Sequence, residues 1–199
     1  MRYTDMMLDI ETLGTAPGSA IIQVGAVLFS PEMPAEEWDT FDTGPITLAS
    51  CQAVGLTTDA DTLNWWREQA PEARVTFDRA LSCDGCHIVN ALQALASVYP
   101  PGASVWSNGA NFDGVLVREA MRRASVACPW NYYDERCHRT MKKEWSEVPS
   151  EVFKGVKHSA LDDARHQAEH LAAIWEHVEN LRNAIRAVQE VVVDEPSKA

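Results

Sequence analysis

Two carboxylates two residues apart, Asp9 and Glu11, interrupt the apolar run Met6-Met7-Leu8-Asp9-Ile10-Glu11-Thr12-Leu13-Gly14. If the run is a strand, both side chains leave the same face, because direction alternates along a strand. Like charges side by side next to a core are costly unless a cation neutralises them. Hard carboxylate oxygens suit a divalent ion, and Mg²⁺ or Mn²⁺ better than Zn²⁺. An edge strand with both acids in water would satisfy the same residues, so the pair alone decides nothing. Two later segments share its chemistry. Asp113 falls in the first turn of a helix that opens after Ser107-Asn108-Gly109-Ala110-Asn111-Phe112, where backbone dipoles favour an anion. In His158-Ser159-Ala160-Leu161-Asp162-Asp163, Ser159 and Asp162 have capping-box spacing, which gives Asp162 a structural role. Asp163, turned about 100° further round the axis, has no such role. His158 precedes the helix, free to face the same pocket.

The elements that must position these groups follow from pattern. A largely buried first strand is predicted over residues 3–11, and a Gly/Pro/Ser-rich turn over 14–19. The nearly continuous apolar run 21–29 predicts a central strand, and alternation over 37–43 a third, completing a meander. Helices are predicted over 62–69, from an Asp84 cap to about 98, over 110–124, over 134–145 and from near Ser159. Pro71 ends the first of these or starts another. A short buried strand spans 104–107, loop 129–133 leads to another, and 147–157 is a polar loop. In the last helix Leu161, Ala164, Ala168, Leu171, Trp175 and Val178 recur at helical intervals, and Leu181, Ile185 and Val188 extend the stripe. Residues 181–193 therefore pack either on the domain or on a second copy, as a homodimer. Residues 194–199 read as a polar tail. Three strands, then helices, then alternating strand and helix give an α/β fold, a mixed sheet with helices on both faces.

At 199 residues, 46% apolar and 23% charged, the chain suits one domain with a real core. No apolar stretch is long enough for a membrane span, and no signal-peptide pattern is seen, so a cytoplasmic protein with no membrane partner is expected. Five cysteines, an odd number, argue against a disulfide framework. Cys83-Asp84-Gly85-Cys86-His87 matches a c-type haem attachment pattern and half a zinc site. Without export or a second ligand pair at suitable spacing, reduced thiols are the simpler reading. The net charge of −12 looks hostile to nucleic acid, but it is uneven: residues 118–157 carry +3 and the remainder −15. One basic side could meet a phosphate backbone.

Taken together, Asp9/Glu11, Asp113, and His158 with Asp163 resemble the D-x-E … D … H-x4-D pattern of the DEDDh 3′–5′ exonucleases. These form the DnaQ-like branch of the ribonuclease H-like superfamily, with ribonuclease T and oligoribonuclease. The likeness covers about residues 1–178. A closer resemblance, to the phage DexA-like and mycobacterial exoribonuclease-like subgroup, rests on Met7-Leu8-Asp9-Ile10-Glu11-Thr12-Leu13-Gly14, on Asn64-Trp65-Trp66, and on the segment from Trp106 to Asp113. One departure is Gly109, where many relatives place an Asn; Asn108 and Asn111 stand beside it.

The resemblance implies a ribonuclease H-like five-stranded sheet, a three-strand antiparallel meander plus parallel strands. It implies a single exonuclease domain over 1–193, of which about 179–193 is a helical extension. It further implies two divalent cations, Mg²⁺ or Mn²⁺, bridged by Asp9, with Glu11 and Asp163 completing one site and Asp113 acting directly or through water. His158 would deprotonate the attacking water, which cleaves the terminal phosphodiester of RNA or single-stranded DNA with a free 3′ end and releases a 5′-mononucleotide. The backbone at Thr12 and Leu13 would meet the terminal sugar, and the Leu13 side chain would wedge against the last bases. Trp65 or Trp66 would stack on a base, or pack in the core; Asn108 and Phe112 complete the expected substrate contacts. Arg139, Lys142, Lys143, Lys154 and Lys157 are candidate phosphate contacts. Two other classes compete: a catalytically idle nucleic-acid-binding module of the same fold, and an electron-transfer protein built on the Cys83–His87 pattern.

Overall fold

The structure, a computed structural model, describes residues 2–193, with side chains described to 189; the predicted tail at 194–199 lies outside the described residues. Strand β1 (Asp5–Thr12) pairs antiparallel with β2 (Ile21–Phe29), and β2 pairs antiparallel with β3 (Asp39–Asp42). On its other edge β1 runs parallel to β4 (Ser104–Ser107), which is followed by parallel β5 (Glu135–Cys137). The order β3-β2-β1-β4-β5 is the expected meander plus parallel strands. The helices are α1 (Leu48–Ala53), α2 (Ala60–Glu68), α3 (Pro71–Leu81), α4 (Ile88–Val98), α5 (Asp113–Arg123), α6 (His138–Glu144) and α7 (Ala160–Val193).

Alternation along β1 divides the core. Met6, Leu8 and Ile10 join the larger cluster, with Trp66, Phe77, Leu92 and Leu116 from α2, α3, α4 and α5. Met7 faces the other way and joins Val27, Phe29, Trp106 and the α7 residues Ala164, Ala168 and Leu171. Helices therefore cover both faces, and Asp9 and Glu11 share the face of Met7, beneath α7. The small residues Ala160, Ala164 and Ala168 let α7 lie close on the sheet.

Several elements differ from pattern. Pro71 starts a helix, at the N1 position where its missing N–H costs nothing. Asp84 does not cap α4. It pairs with Arg79 at 2.7 Å, and the cap is His87, whose Nδ1 accepts the Val89 N–H. This capping role occupies the histidine of the Cys83–His87 pattern. The helix predicted over 134–145 begins only at His138, because 135–137 pairs with β4. The distal half of α7 does not pack on the domain: Leu181, Ile185 and Val188 are 42%, 57% and 63% exposed. No helix among the described residues is long and apolar enough to cross a membrane.

Candidate active site

The site forms where the C-terminal half of β1 meets the starts of α7 and α5. Its width is set first by β2. Gly25 lies opposite Asp9, and Gln23 opposite Glu11. A methyl group on Gly25 would fall inside the backbone of Ala160 and Leu161, so only glycine lets α7 begin there. Gln23 Oε1 accepts the Ala160 N–H at 3.2 Å and so satisfies one of the unpaired donors of the helix start. The Gln23 amide is itself held, through Nε2 to Asp42 Oδ1 at 2.9 Å. Thus β2 plants the first turn of α7 in front of the two β1 acids.

That turn delivers Asp163 and His158. Ligand-capable atoms of Glu11, His158 and Asp163 all lie within 4.8 Å of one another. Asp163 Oδ2 accepts the backbone N–H of His158 at 2.9 Å. Asp163 therefore does take part in the start of its own helix, in addition to facing Glu11. His158 has a left-handed backbone (φ 64°), and its ring meets Trp65 edge-on at 4.9 Å between centroids. Asp162 turns away from the group: its Oδ2 accepts the Val156 N–H at 2.9 Å and packs on Gly155, whose φ is 113°. It holds the loop before α7, a structural role as expected, although not with Ser159 as partner.

Asp113 enters from the first turn of α5 and is buried. Arg139, at the start of α6, lies near enough to favour its ionised form. Gly109 has a φ of 148°, a conformation that favours glycine; a Cβ there would make only ordinary contact with the Arg139 guanidinium, at 3.5 Å from Nη2. A sixth group is one that sequence pattern missed. Gln167, one turn beyond Asp163, donates from Nε2 to Asp9 Oδ1 at 2.7 Å.

Burial makes all four acids reluctant to ionise, and repulsion from their neighbours adds to it for Asp9 and Glu11. Asp9 is pushed well above the usual carboxylate range by burial, then by Asp113, Glu11 and Asp163, against the Gln167 hydrogen bond. Burial, with Asp163 and Asp113, pushes Glu11 up to about 8. Asp113 rises to about 6 through burial, offset by hydrogen bonding to its own backbone, to Ser107 and to Ile10, and by Arg139. Asp163 is raised by burial, against the His158 backbone bond and the His158 charge. Oxygen donors this crowded, this reluctant to ionise and this close to an imidazole fit a divalent cation, whose charge would remove the repulsion.

Not every expected substrate contact reaches the site surface. Leu13 is fully buried in the larger core cluster, with its N–H on Ala20 and its carbonyl on Asp59, so its side chain is no wedge in this conformation. Trp66 is 1% exposed, stacks on Phe77 and donates from Nε1 to the Thr12 carbonyl at 2.8 Å. It is a core residue that supports Thr12. Thr12 is buried, with its hydroxyl on the Gly14 carbonyl. Trp65 is half-exposed beside His158, Asn108 is exposed and Phe112 is partly buried against the core. Of the basic candidates, Lys154 is paired with Glu151 at 2.9 Å. Arg139, Lys142 and Lys143 share α6.

Comparison with known proteins agrees with this geometry. The family described as 3′-5′ exoribonuclease Rv2179c-like domain matches residues 4–175. The chain belongs to this family. A curated relative, the exodeoxyribonuclease of Enterobacteria phage T4, is 26% identical over 129 residues, 59% of this chain and 56% of its own length. The chain thus spans little more than half of that relative. Among solved structures, the nuclease domain of 3′hExo, a DEDDh family member bound to rAMP, matches with a TM-score of 0.58 at 14% identity, over 88% of this chain and 93% of that one. At that identity the likeness shows the fold, a DEDDh-type, ribonuclease H-like sheet. In this chain β1, α5 and α7 are the elements that carry the four acids.

Proposed function

We propose that this protein is a metal-dependent 3′–5′ exonuclease, a single catalytic domain over residues 1–193, which hydrolyses the terminal phosphodiester of RNA or single-stranded DNA and releases 5′-mononucleotides. One observation carries the reading: four acids, Glu11 and Asp113 buried and Asp9 and Asp163 partly buried, converge with a histidine from three distant segments at one end of β1. Asp9, Glu11, Asp113 and Asp163 would hold two divalent cations, Mg²⁺ or Mn²⁺, with Asp9 shared between them. When bound, the pair would stabilise the attacking and leaving oxygens of an in-line displacement. His158 would take the proton from the attacking water. Its neighbour Asp163 orients the segment that carries it, and the edge of Trp65 limits its ring. Trp65, half-exposed beside the histidine, is the aromatic placed to meet a terminal base. Asn108 and Phe112 border the site from the β4–α5 turn. Arg139, Lys142 and Lys143 on α6, with Lys157, would meet phosphates.

The bound rAMP of 3′hExo and the exodeoxyribonuclease of phage T4 point to different sugars, so the test is a substrate panel. End-labelled single-stranded RNA, single-stranded DNA and duplexes with 3′ overhangs are compared in Mg²⁺, Mn²⁺ and EDTA. Mononucleotides released stepwise from the 3′ end, only with metal, are expected. Binding without release would instead mark an idle nucleic-acid-binding module. We further propose that residues 181–193, of which Leu181, Ile185 and Val188 are exposed, pair with a second copy as a homodimer, and that the protein acts in the cytoplasm.

A further inference from the structure

Asp9 is held from α7 by a neutral side chain, and the arrangement is incomplete. Gln167 is 7% exposed. Its Nε2 donates to Asp9 Oδ1 at 2.7 Å, while its Oε1 is buried with no hydrogen-bond partner. A buried carbonyl oxygen with no donor is unfavourable, and most such groups find a partner, commonly water. Both amide atoms belong to one rigid plane, so fixing Nε2 on Asp9 also fixes Oε1 beside the same carboxylate. The residue type has a reason. A carboxylate surrounded by Asp113, Glu11 and Asp163 can rotate away from its neighbours. A lysine would hold it but would also neutralise it and compete with a cation. An amide holds it without adding charge.

We propose that Gln167 is a positioning residue for the cation site. Nε2 locks the rotation of Asp9 and leaves its second oxygen for the cations, and Oε1 accepts a hydrogen bond from a water in the cation's shell. Partners of this kind orient metal ligands, and their loss typically weakens metal binding or activity about 10–100-fold. The inference rests on the acid cluster being the metal site proposed above, and the experiment separates the two ideas.

Mn²⁺ is the probe, titrated by calorimetry and by electron paramagnetic resonance into the parent, Gln167→Met, Gln167→Asn and Asp163→Asn. Methionine keeps the volume and removes both polar atoms; asparagine keeps the amide but falls short of Asp9. For both variants we expect Mn²⁺ affinity to fall about 10–100-fold. On a short oligonucleotide, kcat should fall with little change in KM. The metal-free melting temperature should change little in the methionine variant, since removing a buried unsatisfied oxygen offsets the loss of the Asp9 hydrogen bond. Parental Mn²⁺ affinity in both variants would overturn the proposal. So would a metal-free destabilisation that accounts for the whole loss, because Gln167 would then be merely structural. If Asp163→Asn binds Mn²⁺ as the parent does, the acid cluster is not the metal site and the role of Gln167 falls with it.

Discussion

The two halves of α7 carry one apolar stripe in two different settings. In the proximal half, Ala164, Ala168, Leu171 and Ile174 are fully buried against the sheet, and the intervening residues include Asp163 and Gln167 at the site. In the distal half the spacing continues through Leu181, Ile185 and Val188, yet these are exposed. The stripe is the same; what differs is what lies opposite. Beneath the first half, β1 and β2 supply an apolar floor and two acids, Glu11 buried and Asp9 partly buried. The second half runs past the sheet. A helical periodicity thus records that a face needs a partner without saying which partner. The chemistry marks the half whose partner is the domain itself.

Predictions can sharpen or break this division, and the largest effect belongs to the proximal half. Asp163→Ala should bring mononucleotide release below detection in Mn²⁺ buffer while the circular dichroism spectrum stays that of the parent. Retained turnover would mean the first turn of α7 is not part of the site. His158→Ala should lower kcat by about 100-fold or more, in the range of a lost general base, with Mn²⁺ affinity kept. If calorimetry shows affinity collapsing instead, His158 is a ligand, a role its distance to Glu11 and Asp163 also permits.

The next effect is on stability. Burial pushes Glu11 and Asp113 up to about 8 and about 6 in the native state, whereas the unfolded chain releases these protons near the ordinary values of 4.5 and 3.8. Between those limits the folded state binds more protons than the unfolded one, so stability falls as pH rises. The metal-free protein in EDTA should lose several degrees of melting temperature between about pH 5 and 8, and Mn²⁺ should restore them. A metal-free melting temperature that rises over this window would contradict the burial of these acids.

Smaller effects follow. Asp162→Ala should keep turnover within a few-fold and cost about 1 kcal/mol, the worth of its bond to the Val156 N–H. Loss of activity there would show that the roles of the two adjacent acids are exchanged. Smallest on turnover is the distal pair Leu181→Glu with Ile185→Glu. Activity per chain should be unchanged, while sedimentation should shift from dimer to monomer. A parent that already sediments as a monomer at micromolar concentration would remove the second copy from the picture.

Much of this was legible in sequence, for identifiable reasons. The acids and His158 stand at fixed spacing within local segments. Strand β2 matches residues 21–29 because a strand covered on both faces reads as one apolar run. Helix α1, six residues long, shows too little periodicity to be read. A strand is expected after loop 129–133, but β5 is only three residues long, too short for pattern to separate it from the helix that follows. Leu13 and Trp66 carry types that suit a nucleic-acid contact, but burial is decided by the fold around them. Gln23 and Gln167 act across 137 and 158 residues of chain, beyond any local pattern. A faint signal existed for Gln167, which lies four residues after Asp163 on the same helical face, between apolar neighbours.

The glycine opposite Asp9 has a wider consequence. Because Gly25 has no side chain that could ligate a cation or pair with a substrate, its replacement would disturb the site for a reason foreign to catalysis: it is the gauge that sets how far α7 stands from the β1 acids. The gauge has no finer graduation. The smallest side chain that could replace its hydrogen is a methyl, and that already collides with the Ala160–Leu161 backbone. Substitution can therefore retune the mouth of the site at its rim, through Trp65 or the basic face of α6, but not at its root.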